Sequence, residues 1–433
     1  MTVFHHRQAL PGLLRTHGVR HVADLGSGAG DSTALLLESG ARVTAVDRCA
    51  PVPPDDWPGS ANRQDAAHWS ALEEKFRRRH PAVMLHKGDA AEAARLLCGG
   101  AGGPDAAWLD ADLTFRGSER ILRAWAEALP DGAVLAGAGC LRTFSRQGRE
   151  HGWLNVPDAI AAVRRSCPFL SETYTTWQEP SPAWLMFKRR ARPSVEILSA
   201  ATPDVPWWAD VQAHQQRYAA LHGYGYEGRT MAAPEDRSPV WLKIALMRDR
   251  LRQSRAEWLF WLDADAVFWD FARPLHGFVP PSPWEGVFPQ FWRGRDCLST
   301  GAFFLRNCDA ARELMEAVWD RGHGGGYGSE ETLLADVAPG SRGRLLLVDH
   351  RAFNSAPAVG IWHGGGRDFV MHALCVPGQR RGVLQDLIAR AECLAARSAD
   401  ADWQPGIGQP PRPAPRDAII VPKPAPLPHG FAA

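Results

Sequence analysis

The pentapeptide Trp-Leu-Asp-Ala-Asp occurs twice in this sequence, at Trp108–Asp112 and at Trp261–Asp265. Each copy holds two aspartates in a D-x-D spacing, which can present two carboxylates to one cation. A bare D-x-D is weak evidence, because a chain of this length contains about one by chance. The chemistry of each copy therefore has to be judged from the elements that surround it.

The second copy ends an apolar segment of strand length, Glu257–Phe268, which is typical of a buried strand in an α/β sheet. Side chains two residues apart in an extended chain project to the same side, so Asp263 and Asp265 are predicted to lie together. Adjacent like charges repel unless a cation neutralises them, and oxygen ligands suit Mn²⁺ or Mg²⁺. The indicated chemistry is a metal clamp on a nucleotide-sugar diphosphate. The alternative is a capped strand end whose acids start a turn.

Six segments around this copy follow the order found in a known family. They are Arg217-Tyr218 with His222–Tyr224, Pro239–Lys243, the D-x-D strand, Leu298–Asn307, Glu330-Glu331 and Asp368–His372. On these motifs, residues 194–377 resemble the galactosyl-, mannosyl- and xylosyltransferases that include fungal Golgi α-galactosyltransferases and plant xyloglucan xylosyltransferases. The resemblance implies a GT-A fold, a divalent metal, a nucleotide-sugar donor and retention of anomeric configuration.

The resemblance also assigns roles to single residues. It implies that Asp265 binds the metal directly and that Asp263 lies nearer the ribose and the metal-bound waters. His372 matches the histidine that completes the metal site, although a lone histidine after an apolar pair is more often a core residue. Gly301 falls in the family's N-x-G-x-F segment near the donor sugar. Ser299 replaces the usual Asn of that segment, which leaves a hydrogen bond to donor or acceptor open.

Two acidic residues and one lysine are further candidates. Glu330 and Glu331 stand where the family usually has an acid followed by Gln, and that Gln faces the sugar opposite the leaving group. Glu331 would place a carboxylate there, which could stabilise an oxocarbenium-like centre or attack it. The alternative is a solvated acidic helix start after Ser329, a good N-cap residue. Lys243 either supports the donor phosphates or is a solvated helix lysine.

The first copy follows a glycine-rich turn. His21–Gly30 is predicted as a short strand that runs into G-x-G-x-G and then into a helix at 32–38, and a second strand ends in Asp47. Glycines let the backbone approach a ligand, and the following helix offers free amide hydrogens. On these motifs, with Lys87–Ala90, Ala106–Asp112 and Leu129–Ala136, residues 8–188 resemble class I S-adenosylmethionine-dependent methyltransferases, closest to small-molecule and sugar O-methyltransferases.

This second resemblance implies a cofactor site but leaves methyl transfer open. Residues that would bind S-adenosylmethionine are Asp24, Gly26 and Gly28 at the methionine end, Asp47 at the ribose, Asp89 at the adenine edge and Asp110 near the methyl donor. Leu113 and Gly139-Cys140 replace the residues that usually supply a base or metal ligands. An α/β domain without a ligand is the alternative.

Composition limits the class of protein. The chain has 433 residues and a formal net charge of +1, which argues against a nucleic-acid or anionic-membrane partner held by bulk electrostatics. Eight cysteines without a C-x-x-C pair indicate free thiols in a reducing compartment, which predicts a cytoplasmic location. No signal peptide or apolar stretch of membrane-spanning length is present.

The sequence therefore predicts an α/β protein with two domains and a tail. Residues 1–190 are predicted as a Rossmann-like methyltransferase fold, residues 194–397 as a GT-A glycosyltransferase domain, and residues 398–433 as a Pro-rich, disordered tail. We expect both domains to act on one glycosylated small molecule or glycan. The alternatives are a glycosyltransferase with a degenerate methyltransferase-fold module, and a sugar-binding or scaffold protein without catalysis.

Overall fold

The computed structural model describes most of the chain. The described residues are 2–3, 7–48, 66–111, 115–138, 156–175, 183–189, 192–290, 298–322, 329–338, 344–356, 368–373 and 380–399. Leu113, Gly139, Cys140 and the predicted tail from residue 400 onward lie outside them.

The first half is a seven-stranded sheet between helices. Its strands are β2 (His21–Leu25), β3 (Arg42–Asp47), β4 (Met84–Lys87), β5 (Ala106–Leu109), β6 (Val134–Ala138), β7 (Tyr174–Thr175) and β8 (Ala183–Phe187), whereas β1 (Thr2–Val3) belongs to the other sheet. Its helices are α1 (Leu10–His17), α2 (Asp31–Leu37), α3 (Ala66–Arg79), α4 (Ala90–Cys98), α5 (Phe115–Ala128) and α6 (Val156–Ser166). The strand order is β4-β3-β2-β5-β6-β8-β7, and β8 runs opposite to the other six strands. This doubly wound sheet confirms the predicted Rossmann-like α/β class.

The second half contains a mixed sheet and a short ribbon. Its strands are β9 (Val195–Ala201), β10 (Gly225–Thr230), β11 (Trp258–Leu262), β12 (Ala266–Phe268), β13 (Gly286–Pro289), β14 (Ala302–Arg306), β15 (Leu345–Val348) and β16 (Val370–His372). Its helices are α7 (Trp208–His222), α8 (Leu242–Gln253), α9 (Asp309–Arg321), α10 (Ser329–Val337) and α11 (Arg380–Ala399). The sheet has the order β1-β15-β13-β14-β11-β9-β10, while β12 and β16 form a separate antiparallel pair.

Strand β11 lies inside this sheet, where the sequence predicted a buried strand. All five of its residues are buried, and it pairs with β9 on one side and β14 on the other. Its continuous apolar sequence fits a strand that is covered by helices on both faces. β11 ends at Leu262, so the two aspartates that follow lie just beyond the carboxyl end of a buried central strand.

The two halves are joined by hydrogen bonds that the predicted division did not anticipate. Strand β1 comes from the beginning of the sequence but pairs with β15 of the second sheet. The Tyr174 hydroxyl donates to the Phe278 carbonyl, and the Glu172 amide donates to the Gly277 carbonyl at 2.6 Å. The Trp284 indole donates to His17 Nδ1 at 3.1 Å. The proposed boundary near residue 190 therefore separates two sheets that share buried polar contacts.

Two compositional expectations can be compared with the described residues. The cysteines among them, Cys98, Cys167, Cys308 and Cys393, are free thiols. None of the helices in the described ranges combines the length and apolar composition that crossing a membrane requires.

Candidate functional site

Three side chains converge beyond the end of β11. Asp263 and Asp265 follow the strand, and the pairing of β12 with β16 sets Ala266 opposite His372. His372 Nε2 lies 2.8 Å from Asp265 Oδ1 and 3.8 Å from Asp263 Oδ2. One ligand atom from each residue can be chosen so that all three lie within 4.8 Å of one another. The structure thus brings together the three residues that the sequence assigned to a metal.

A turn, and not an extended strand, brings the side chains of Asp263 and Asp265 together. The sequence argument placed both side chains on one side of an extended chain, but β11 ends at Leu262 and β12 begins at Ala266. The Ala266 amide donates to the Asp263 carbonyl at 3.1 Å, which closes a turn between the strands. The predicted convergence is found, but the extended geometry that was used to predict it is wrong.

Burial and neighbouring charges have opposite effects on the pKa values of Asp263, Asp265 and His372. Burial raises the pKa of Asp263 despite the nearby Lys243 ammonium. Burial has the same tendency at Asp265, but the His372 ring overrides it and the pKa of Asp265 is lowered. The pKa of His372 is raised, because the attraction of Asp265 outweighs the burial that would lower it. His372 and Asp265 therefore stabilise each other's charged forms.

Lys243 is buried, which excludes the solvated helix lysine considered from the sequence. Its Nζ lies 3.2 Å from Asp263 Oδ1 and 3.3 Å from Glu330 Oε1, and its side chain is 7% exposed. Burial disfavours an ammonium, but the carboxylates of Asp263, Glu330 and Glu331 outweigh that effect and raise the pKa of Lys243. Lys243 therefore stays charged and links the D-x-D turn to the acidic pair.

The acidic pair opens α10, but it is not a solvated helix start. Glu330 is 2% exposed, and Glu331 is partly buried. Thr300 contacts both acids: its amide donates to Glu331 Oε1 at 2.9 Å and its hydroxyl lies 3.1 Å from Glu330 Oε1. Burial raises the pKa of Glu331. The pair is thus held beside the aspartates by the segment that precedes β14.

Gly301 has no room for a side chain. A Cβ there would lie 2.5 Å from His372 Cε1, and its carbonyl accepts from the Asp263 amide at 2.9 Å. The glycine predicted to lie near the donor sugar therefore allows the chain to pass directly behind the histidine. Donor binding by Gly301 remains a prediction.

Three contacts of the cluster were missed by the sequence analysis. Arg380 at the start of α11 places Nη1 3.2 Å from Asp265 Oδ2, and the Trp261 indole donates to Asp263 Oδ1 at 2.6 Å. Asn354 Oδ1 lies 3.2 Å from His372 Nδ1. Trp261 could have been found, because it lies two residues before Asp263. Arg380 and Asn354 belong to distant segments and carry no motif.

The charge and chemistry of the cluster fit a divalent ion. Among the described residues in contact here, the carboxylates of Asp263, Asp265, Glu330 and Glu331 face only two fixed cations, Lys243 and Arg380. With the four carboxylates ionised and His372 neutral, as in a metal-bound site, the formal excess is two negative charges, which a divalent ion would neutralise. Carboxylate oxygens with one imidazole nitrogen suit Mn²⁺ well.

In the first half, the glycine turn packs against the end of β5. Gly26 has φ +85°, and a Cβ there would lie 2.5 Å from Ala111 Cα. Gly28 has φ +51°, and its amide donates to Asp47 Oδ2 at 2.9 Å. The structure therefore brings Gly26, Gly28 and Asp47 together at the carboxyl ends of neighbouring parallel strands, where ligands of such sheets bind. Asp110 directly follows β5 at the same edge.

Two other predicted cofactor residues have structural partners. Asp24 is fully buried and accepts from the hydroxyls of Ser32 at 2.9 Å and Thr33 at 2.5 Å. Asp89 caps α4, forms a bidentate pair with Arg120 at 2.6 and 2.8 Å, and contacts Arg48. The hydrogen bonds from Arg120, followed by that from Arg48, lower the pKa of Asp89 although burial opposes the shift. Roles for Asp24 and Asp89 in cofactor binding stay predictions.

A separate open cavity of about 800 Å³ lies at the opposite end of the second sheet. It is lined near the starts of β9 and β10, and one of its arginines, Arg250, is already paired with Glu196 at 2.7 Å. None of the candidate residues contributes to its walls. The chemistry therefore favours the turn after β11 over this cavity.

A sequence-family comparison supports the resemblance of the second half. The model of the galactosyl transferase GMA12/MNN10 family matches residues 199–279, which include the Asp263 and Asp265 turn. "Glycosyltransferase 6" of Arabidopsis thaliana is 29% identical over 185 residues, which cover 39% of this chain and 41% of that protein. "Galactomannan galactosyltransferase 1" of Cyamopsis tetragonoloba is 32% identical over 112 residues, which cover 24% of this chain and 25% of that protein. The chain thus spans less than half the length of these curated relatives.

Two solved structures are partly similar to this chain. A glycosyltransferase involved in glycosylation of the major capsid of PBCV-1 aligns with 45% of this chain and 100% of its own, at 17% identity and a TM-score of 0.38. The O-methyltransferase from Bacillus cereus in complex with SAH aligns with 42% of this chain and 80% of its own, at 16% identity and a TM-score of 0.30.

Removing the Lys243 charge should destabilise the protein. Lys243→Met leaves Asp263 and Glu330 without their buried cation, so the free energy of unfolding should fall by ~3–5 kcal/mol, as for other broken buried pairs. Lys87→Met is the control, because Lys87 forms an exposed pair with Glu73 and its loss should matter by less than ~1 kcal/mol. Urea titration followed by tryptophan fluorescence measures both. Equal effects of the two substitutions would contradict the buried-pair assignment.

Proposed function

We propose that the chain is a metal-dependent, retaining glycosyltransferase that moves a hexose or pentose from a nucleotide sugar to a small-molecule or glycan acceptor. The observation that carries the proposal is the convergence of Asp263, Asp265 and His372 within the family-like half. The surrounding excess of negative charge favours a divalent ion at that point. A sugar-binding or scaffold protein would not require this charge to be assembled.

The donor end of the reaction follows from the charges in place. Asp263, Asp265 and His372 would hold Mn²⁺ or Mg²⁺, and such an ion would neutralise charge on the leaving diphosphate. Arg380 Nη1 lies 3.2 Å from Asp265 Oδ2, and its guanidinium would be a donor for a diphosphate oxygen beside the metal. Lys243 is held by carboxylates on two sides, so it supports the donor by keeping Asp263 and Glu330 in place.

The sugar end of the reaction depends on the acidic pair. Glu331 is partly buried, and Thr300 fixes one of its oxygens. A carboxylate so placed stabilises positive charge at the anomeric carbon, or attacks that carbon to give a covalent intermediate with retention. Glu330 is more deeply buried and paired with Lys243, so we assign it the supporting role and Glu331 the catalytic one.

For the first half, we propose S-adenosylmethionine as the cofactor. The support is the Gly28 amide on Asp47, which orients a carboxylate for ribose hydroxyls at the ligand-binding edge of the sheet. Methyl transfer to the product of the second half is the fuller proposal. The alternative, a binding module without transfer, is favoured by Leu113 and Gly139-Cys140 in place of the usual base or ligands.

Loss of the direct metal ligand should abolish transfer. Asp265→Ala should reduce donor hydrolysis and sugar transfer on the order of 10²-fold or more while the protein stays folded. The assay is mass spectrometry of a panel of nucleotide sugars with Mn²⁺, with hydrolysis scored where no acceptor is known. Asp249→Ala, on an exposed side of α8, should retain activity. Full activity of Asp265→Ala with a chelator present would refute the metal-dependent mechanism.

Glu331 should affect turnover more than donor affinity. Glu331→Ala should lower kcat on the order of 10²-fold with little change in KM, because the interaction is made mainly in the transition state. Glu331→Gln restores the amide that the family usually has at this position, and it tests whether the charge itself is needed. Steady-state kinetics of donor hydrolysis separates the two constants. An unchanged kcat, or a loss confined to KM, would remove Glu331 from the reacting centre.

Cofactor binding by the first half should raise the melting temperature. S-adenosylmethionine or S-adenosylhomocysteine at a hundredfold excess over Kd should stabilise the protein by about 2.7 kcal/mol through mass action. Asp47→Ala should remove most of the shift, whereas Asp158→Ala on the exposed face of α6 should not. Scanning calorimetry measures the shift, and isothermal titration gives Kd. Absence of binding at millimolar ligand would show that the glycine turn is only structural.

A further inference from the structure

The ring of His372 is held from both sides. Nε2 faces the aspartates at 2.8 and 3.8 Å, while Nδ1 lies 3.2 Å from Asn354 Oδ1. Asn354 is fully buried and follows a short helical turn at His350–Ala352, so it reaches the histidine from a different part of the chain. The orientation of its amide therefore decides which ring nitrogen of His372 carries a proton when the ring is neutral.

The contacts of the Asn354 amide nitrogen set the orientation of its side chain. Asn354 Nδ2 lies 3.3 Å from Ser299 Oγ and 3.2 Å from His350 Nε2, which accepts a hydrogen bond in the tautomer that has its proton on Nδ1. An amide nitrogen has two donors and an amide oxygen has none. With both donors used, the oxygen faces His372 Nδ1, which must then be the protonated nitrogen.

We propose that Asn354 is a positioning residue that holds His372 in the form able to bind a metal, an inference that rests on the proposed metal-dependent function. A neutral imidazole binds a metal through its unprotonated nitrogen, and the partner of the other nitrogen selects the tautomer. When the ring is neutral, the Asn354 carbonyl would keep the proton on Nδ1 and leave the Nε2 lone pair free for a metal held by Asp263 and Asp265. Gly301 supports the arrangement, because only a glycine leaves space for the ring at this point.

The decisive test compares two substitutions of Asn354. Asn354→Leu keeps similar bulk but removes the acceptor, and Asn354→Asp keeps an acceptor for Nδ1–H. We expect Asn354→Leu to weaken Mn²⁺ binding by ~10–100-fold, the range for lost partners of ligating histidines. Asn354→Asp should retain most of the affinity. Asn307→Leu is the control, because Asn307 bonds Ser254 and Ala256 at the other end of the sheet.

Two measurements that do not need enzyme activity serve as readouts. Electron paramagnetic resonance of free Mn²⁺ gives Kd, and electron spin-echo modulation of bound Mn²⁺ reports whether an imidazole nitrogen is coordinated. The nitrogen signal should be present in the wild type and in Asn354→Asp, and lost or reduced in Asn354→Leu. If Asn354→Leu does not fold, Asn354→Ala replaces it in the same comparison with Asn354→Asp.

The possible failures are distinguishable. Equal Mn²⁺ affinity and nitrogen coupling in the wild type and Asn354→Leu would overturn the role of Asn354 and leave the metal-dependent function standing. Equal losses in Asn354→Leu and Asn354→Asp would also overturn it, because a purely structural role predicts that result. No Mn²⁺ binding by the wild-type protein would overturn both proposals.

Discussion

The accumulation of negative charge beyond β11 is the constraint on which the second half depends. Four carboxylates lie close to one another where burial disfavours ionised groups, and each has to be held by a cation or a hydrogen-bond donor. Lys243 and Thr300 serve that purpose on one side, and His372 and Arg380 serve it on the other. Such an assembly would be expensive for stability alone, which is why it indicates a function that uses the charge.

The partners of these carboxylates come from separate segments, so the site exists only when the second half is assembled. The first turn of α8 provides Lys243, the approach to β14 provides Thr300, the end of β16 provides His372 and the start of α11 provides Arg380. Because β11 is buried on both sides, the aspartate turn is the fixed point against which the others are placed. Rigid strands and helix ends therefore set the geometry of the site.

The sequence predicted the fold class and the groups with a recognisable motif. The apolar run of β11, the aspartates and the family position of His372 were sufficient to place three residues at one site, and the glycine turn placed Gly28 beside Asp47. Partners without a motif could not be predicted. Asn354 and Arg380 meet the cluster only through tertiary packing, and the buried state of Lys243 depends on Glu330 from a different helix. Asp89 illustrates the same limit, since Arg120 approaches it from α5.

The pairing of β1 with β15 has a consequence for the order in which the molecule can be built. Every strand of the first sheet lies between His21 and Phe187, so that sheet can form early during synthesis. Thr2 pairs with Leu346, however, so this pairing must wait until residue 346 has emerged. This is the kind of distant contact that slows folding. Until β1 pairs with it, the completed β15 presents an unpaired edge, which makes this late intermediate prone to aggregation.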